Sequence, residues 1–259
     1  MALPRDLGGR VPLDAPDDAP AEDDAVLWQF GDDSVQLEAK QSGMCAVLAA
    51  LLAAICTTAD AFTRSNPRKA TTALAAKPKA VIFDLDGCLW YPEMYMMSWR
   101  GGGAPFVPKG DAMVSQAGEA VTLLGDVRAV VAELRADWPD AVVGISSRTD
   151  EPAWARELLE KFRVEDFALG DAFDARAVQI SKDSKVAHFE RIAAATSIPF
   201  EDMLFFDNEL GNLRAVTMLG VTCAYCPEGV DDAIWREALA AFPAPAGDVV
   251  GADAYGLGR

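Results

Sequence analysis

The chain has 259 residues, 51% of them hydrophobic by a broad count, which is enough to bury a sizeable core in one or two domains. Forty acids against 23 bases leave a net charge of −17. That argues against nucleic acid or an anionic membrane surface as a partner, because both are gripped through clustered Lys and Arg. The five cysteines (Cys45, Cys56, Cys88, Cys223 and Cys226) are too sparse for a disulfide framework.

Residues 1–43 carry ten acids and three bases and offer little to bury, so they read as a disordered leader. The character then changes abruptly. Met44 to Cys56 is a run of thirteen uncharged residues, mostly Ala and Leu, too short for a comfortable membrane span and suited to the apolar region of a signal peptide. Ala59 and Ala61 have the small-residue spacing that a signal peptidase needs, so the signal-like segment is 44–61. Residues 62–78 contain four bases and no acid, a transit-peptide composition. With Phe62 directly after the cleavage site, the arrangement resembles the bipartite plastid presequences of algae with secondary plastids, which implies import into a plastid. Asp60 inside the cleavage site and the acidic leader depart from that pattern, and Met44 is read as the actual start. The alternative is a short helix attached to the domain. The mature domain is expected to have no stable membrane association.

From residue 79 strands and helices alternate, predicting an α/β domain over 79–245 with a doubly wound, mostly parallel sheet. Strands are predicted at 79–84, 141–146, 203–206 and 221–225. Helices are predicted at 126–135, from Pro152 with a stripe of Ala155, Leu158, Leu159 and Phe162, from the N-cap Ser184, at 211–219 and at 231–241. The Gly- and Ala-rich end, 246–259, reads as a flexible tail. Cys223 and Cys226 have the spacing of a redox or zinc pair, but on a strand they face opposite sides, and core thiols are favoured. Residues 87–124 are too long for an ordinary connection and form a small lid insertion. Its Trp90, Tyr91, Met94, Tyr95, Met96, Met97 and Trp99 either line a substrate pocket or close a minor core beneath the loop; the glycines at 101–103 would allow movement.

Four apolar runs stop at polar groups. The run VIF ends at Asp84 and Asp86; another ends at Ser146-Ser147-Arg148-Thr149; Lys185 opens a helix; and a last run ends at Asp207-Asn208-Glu209. Parallel strands would gather these groups in one crevice at the carboxyl edge of the sheet. Paired acids there are costly unless a cation or a reaction needs them.

The pieces FDLDGCLW (83–90), ISSRTDEPAWARELL (145–159), SKVAHFERI (184–192) and LFFDNELGN (204–212) resemble the haloacid dehalogenase-like superfamily, and within it the magnesium-dependent phosphatase family. The resemblance covers about residues 79–240. It implies a phosphomonoester hydrolase with Asp84 as nucleophile, an aspartyl-phosphate intermediate and Asp86 as acid and base. It implies Mg²⁺ held by the Asp84 and Asp207 carboxylates and the Asp86 carbonyl. Ser147 and Lys185 would hold the phosphoryl oxygens, and Arg148 would touch substrate or pair with an acid. Substrates implied are small phosphomonoesters, phosphotyrosine-like or sugar phosphates, or a phosphorylated protein. Cys88 replaces the usual Thr or Val, and Asn208 stands where many relatives have a second aspartate, with Glu209 beside it either compensating or facing solvent. Weaker metal binding is therefore expected. His188, the single histidine, is read as structural or supporting. A phosphotransferase of the same fold, or a catalytically weak binder of phosphorylated ligands, remains open. The oligomeric state is not legible.

Overall fold

The computed structural model describes residues 76–257. The acidic leader, the signal-like segment and nearly all of the transit-like segment lie outside the described residues.

Six parallel strands form the main sheet: β1 (Ala80–Phe83), β6 (Val142–Ser147), β9 (Val178–Ile180), β10 (Met203–Asp207), β11 (Thr222–Tyr225) and β12 (Val249–Val250). Their order is β12-β11-β10-β1-β6-β9, so β1 lies between β10 and β6. Every residue of β1 is buried, as expected for a central strand covered on both faces. Alternation along it splits the core. Val81 and Phe83 join one cluster with α2 (Val127–Asp137), α3 (Pro152–Lys161) and α6 (Asp232–Ala241). Ala80 and Ile82 join another with α4 (Lys185–Thr196) and α5 (Leu210–Thr217). Helices on both faces of a parallel sheet make the domain doubly wound, as the alternation of elements predicts.

Helix starts follow local chemistry. Pro152 sits in the first turn of α3. The Ser184 hydroxyl accepts from the Ala187 amide at 3.2 Å and the Asp231 carboxylate from the Ile234 amide at 2.8 Å, capping α4 and α6. Cys223 and Cys226 fall in opposite core clusters, and with Cys88 they are free and buried.

One expectation needs correcting. The end of the chain adds an edge strand: β12 pairs with β11, Ala252 is buried, and the Gly247 amide donates to the Thr217 hydroxyl. Two valines in a Gly-rich stretch are too few to register as a period. The insertion at 87–124 divides between its two expected roles, part closing a core and part lining the cleft. It holds β2 (Trp90–Tyr91), α1 (Met94–Trp99) and a meander of β3 (Val107–Lys109), β4 (Ala112–Val114) and β5 (Ala120–Leu123). Trp90, Met94, Met97, Phe106 and Val121 are buried in the same core as Phe83. The insertion is pinned to α3, because Glu157 accepts from the Phe106 amide at 2.7 Å and Lys161 donates to the Phe106 carbonyl at 2.6 Å. Gly103 (φ +123°) lies so close to Trp154 that a Cβ would stand 2.1 Å from the indole ring. Tyr91, Tyr95 and Trp99 stay exposed; Tyr95 and Trp99 stack edge to face at 4.9 Å, and Trp99 is 82% exposed.

Candidate active site

The three central strands end side by side. Register pairs Phe83 with Phe206 on β10 and with Ile145 on β6, so the chain leaves the sheet at Asp84, Asp207 and Ser147 on one edge. The Asp84 amide donates to the Phe206 carbonyl at 2.9 Å and continues the ladder into the loop. Helix α4 sends Lys185 across this edge. A cleft of about 270 Å³ opens there, lined by Asp84, Asp86, Ser147, Arg148 and Lys185, with Glu93, Tyr95, Trp99 and Glu209 toward its mouth.

Lys185 is the electrostatic centre. Its side chain is 2% exposed, and its Nζ lies 2.7 Å from Asp84 Oδ1, 3.0 Å from Asp207 Oδ2 and 2.5 Å from the Ser146 carbonyl. Burial alone would lower its pKa, but the two carboxylates outweigh that and raise it. Asp207 is driven upward by burial and by the Asp84 charge, against Lys185 and the Glu209 amide, which donates to Oδ1 at 2.7 Å. Among the described residues no cation pairs with Asp86. Its Oδ1 accepts from the Trp90 indole at 2.7 Å and its Oδ2 from the Met94 amide at 3.3 Å. Burial first, then the Asp84 charge, pushes its pKa up to about 7. Neighbouring Asp84 and Asp86 thus have different partners, a buried ammonium for one and neutral donors for the other.

The loop after β6 is folded by its own hydroxyls. Ser147 Oγ accepts from the Thr149 amide and Thr149 Oγ1 from the Glu151 amide, both at 3.3 Å. Ser147 lines the cleft, whereas the Ser146 hydroxyl turns away to His188. Arg148 is exposed at the rim and donates to Asn212 at 3.4 Å. Glu209 is exposed and accepts from Asn212 at 3.0 Å. Asn208 packs on Gly87 (φ +75°), where a Cβ would come within 2.2 Å of its amide nitrogen. All eight site residues expected from the sequence therefore gather at this edge. Trp90, Thr149 and Asn212 were missed as partners; only Trp90, one turn after Asp86, left a readable signal.

The chemistry of the donor set fits magnesium. Among the described residues no three His, Cys, Asp or Glu side chains cluster as a ready metal cage. Mg²⁺ rarely uses one; it takes one or two carboxylates and keeps several waters. Asp84 and Asp207 supply two. Asn208 Oδ1 is buried without a hydrogen-bond partner, an orphaned acceptor suited to a metal-bound water.

Residues 76–244 match the family model described as Acid Phosphatase. The chain belongs to this acid phosphatase family. Within it the chain is 34% identical over 173 residues to human magnesium-dependent phosphatase 1, covering 65% of this chain and 89% of that protein. It is 32% identical over 152 residues to a haloacid dehalogenase-like hydrolase superfamily protein of Schizosaccharomyces pombe, covering 56% and 83%. A solved haloacid dehalogenase-like hydrolase from Xanthomonas campestris is similar at 17% identity and a TM-score of 0.41, over 60% of this chain and 86% of that one. The acid phosphatase family assignment agrees with the magnesium-dependent phosphatase resemblance drawn from the four motifs.

Proposed function

We propose that the protein is a Mg²⁺-dependent phosphomonoester hydrolase acting through an aspartyl-phosphate on Asp84. The observation that carries the reading is the contrast at the Asp84–Asp86 pair. Asp84 is salt-bridged to Lys185, whereas Asp86 holds a proton to about neutral pH. A nucleophile must be bare and a general acid must be loaded, and burial with one ammonium separates the two jobs.

The carboxylates of Asp84 and Asp207 and the carbonyl of Asp86 would hold Mg²⁺, which when bound supplies the positive charge that lets an anionic carboxylate approach a phosphoryl group. Lys185 aims Asp84 and adds a second fixed charge beside the phosphoryl oxygens. Ser147 and the amides of its loop donate to those oxygens. Asp86 gives its proton to the leaving oxygen as Asp84 bonds to phosphorus. It then takes a proton from the water that attacks phosphorus and frees Asp84. Trp90 and the Met94 amide keep the Asp86 carboxyl pointed into the cleft throughout. Arg148, Tyr95 and Trp99 at the mouth contact the substrate body, which suits an aryl or sugar phosphomonoester or a phosphorylated side chain of a protein.

The full-length protein should hydrolyse a chromogenic aryl phosphate with Mg²⁺, and Asp84→Asn and EDTA should each abolish turnover. Activity that survives either treatment overturns the mechanism.

Residues 44–78 are further proposed to direct plastid import. A fluorescent fusion of that segment remaining in the cytosol of an alga with a secondary plastid would refute it.

A further inference from the structure

His188 is the single histidine of the chain, fully buried on α4 one turn after Lys185. Each ring nitrogen meets a hydroxyl: Nδ1 lies 3.1 Å from Ser146 Oγ, and Nε2 lies 3.0 Å from Ser181 Oγ. The tautomer follows from the next bond outward. The Ser181 hydroxyl also lies 3.1 Å from Asp183 Oδ2, and an ionised carboxylate only accepts. Ser181 has one proton and gives it to Asp183, so toward the ring it must accept. Nε2 therefore carries the hydrogen, Nδ1 is bare, and the Ser146 hydroxyl donates to Nδ1. The bonds run in one direction, from Ser146 through His188 and Ser181 to Asp183, which Arg191 holds at 2.9 Å.

Ser146 is thereby gripped twice by one helix. Lys185 takes its carbonyl and His188 takes its hydroxyl. The adjoining residue is Ser147, whose side chain lies on the opposite side of the strand, in the cleft.

We propose that His188 is a positioning residue, locked as the neutral Nε2–H tautomer, which orients Ser146 and so sets Lys185 and Ser147 at the phosphate-binding end of the cleft. It moves no proton in the reaction. The role of Lys185 and Ser147 rests on the phosphatase reading above; the tautomer does not.

The surroundings agree. The groups facing the ring are Ser146 and Arg148 from β6 and its loop, Ser181 and Asp183 from the segment after β9, and Lys185 and Arg191 from its own helix. Burial, followed by the Lys185 and Arg191 charges, pushes the imidazole down to about 4, with Asp183 pulling the other way and Arg148 adding a smaller push. A protonated ring would also turn Nδ1 into a donor and leave the Ser146 hydroxyl without its acceptor.

Because there is one histidine, full-length protein labelled with ¹³C and ¹⁵N at histidine gives one set of ring signals that needs no assignment. The expected result is the Nε2–H tautomer, with nitrogen shifts constant across about pH 5.5 to 8, where a free imidazole titrates. An Nδ1–H tautomer, or a midpoint inside that range, would overturn the proposal.

Two variants test the positioning. His188→Asn places an amide where Nδ1 stands and keeps the partner of Ser146. His188→Gln reaches the place of Nε2 and keeps the partner of Ser181. His188→Gln should raise KM for an aryl phosphate and Ki for inorganic phosphate roughly tenfold, the scale of losing an outer supporting partner, while kcat falls less. His188→Asn should stay within about threefold of the parent on both constants. Equal effects of the two variants, or a loss confined to kcat with phosphate Ki unchanged, would count against it. If either fails to fold, the ring signals of the parent protein decide alone. If the protein shows no phosphatase activity at all, the phosphate-binding reading falls while the tautomer is still tested.

Discussion

Replacing Lys185 with methionine keeps most of the side-chain volume and removes the ammonium that joins Asp84 to Asp207. Its side chain is 2% exposed, so water cannot take over from it without opening the site. Removing one partner of a buried, hydrogen-bonded pair costs about 3 to 5 kcal/mol, because the remaining charge is left unpaired. Here the cost should fall at the lower end, near ~3 kcal/mol, since a carboxyl group of this cluster can take up a proton instead. For a domain of this size that lowers the melting temperature in EDTA by roughly 6 to 12 °C. Mg²⁺ should stabilise the variant more than the parent, because it binds the same bare carboxylates. Turnover should fall by about 10²- to 10³-fold, the scale of losing one fixed charge donor at a reacting centre. Melting followed by circular dichroism, with and without Mg²⁺, and steady-state kinetics on one aryl phosphate measure all three. A variant as stable as the parent in EDTA, or one that keeps its kcat, would refute the idea that Lys185 compensates the cluster.

The Trp90 indole lowers the pKa of Asp86, so Trp90→Phe should move the alkaline limb of the kcat/KM profile upward by about half to one pH unit, the size of one lost hydrogen bond; an unmoved limb would remove Trp90 from the acid's support. Gly87→Ala combines a positive φ with a Cβ 2.2 Å from the Asn208 amide, so activity should drop by about 100-fold or more, and near-normal kinetics would mean the Gly87–Asn208 contact sets nothing. In the metal-free protein the contribution of Asp86 to stability should fall as pH rises. Asp86, held at about 7 in the fold against 3.8 for the free group, binds a proton that the unfolded chain has already released between those values. The loss accumulates from about pH 4 to 7 and levels off above, and denaturant titrations of Asp86→Asn should show a shallower slope; equal slopes would contradict the raised pKa.

The site was more legible in the sequence than its surroundings. Asp84, Ser147 and Asp207 each end a buried apolar run, and parallel pairing of those runs leaves one place for them to meet. Lys185 follows a readable N-cap serine. The edge strands were less visible because β9 and β12 have three and two residues, too short for a period. The lid aromatics divided in a way that spacing does not encode. Met94 and Met97 share one face of α1 and are buried in the core, whereas Tyr95 and Trp99 stand on another, and a six-residue helix is too short for spacing to tell which face is buried. Strand alternation, together with His188 forty-two residues away, turns the Ser146 hydroxyl from the cleft and leaves Ser147 lining it.

The central claim is that Asp84 carries the phosphoryl group. Protein quenched during steady turnover of an aryl phosphate with Mg²⁺ can be treated with borohydride, which reduces an acyl phosphate to a primary alcohol and leaves other carboxylates untouched. Peptide mass spectrometry should then find homoserine at position 84 and aspartate at 86 and 207. Turnover with position 84 unmodified, or with the alcohol at another acid, would contradict the account.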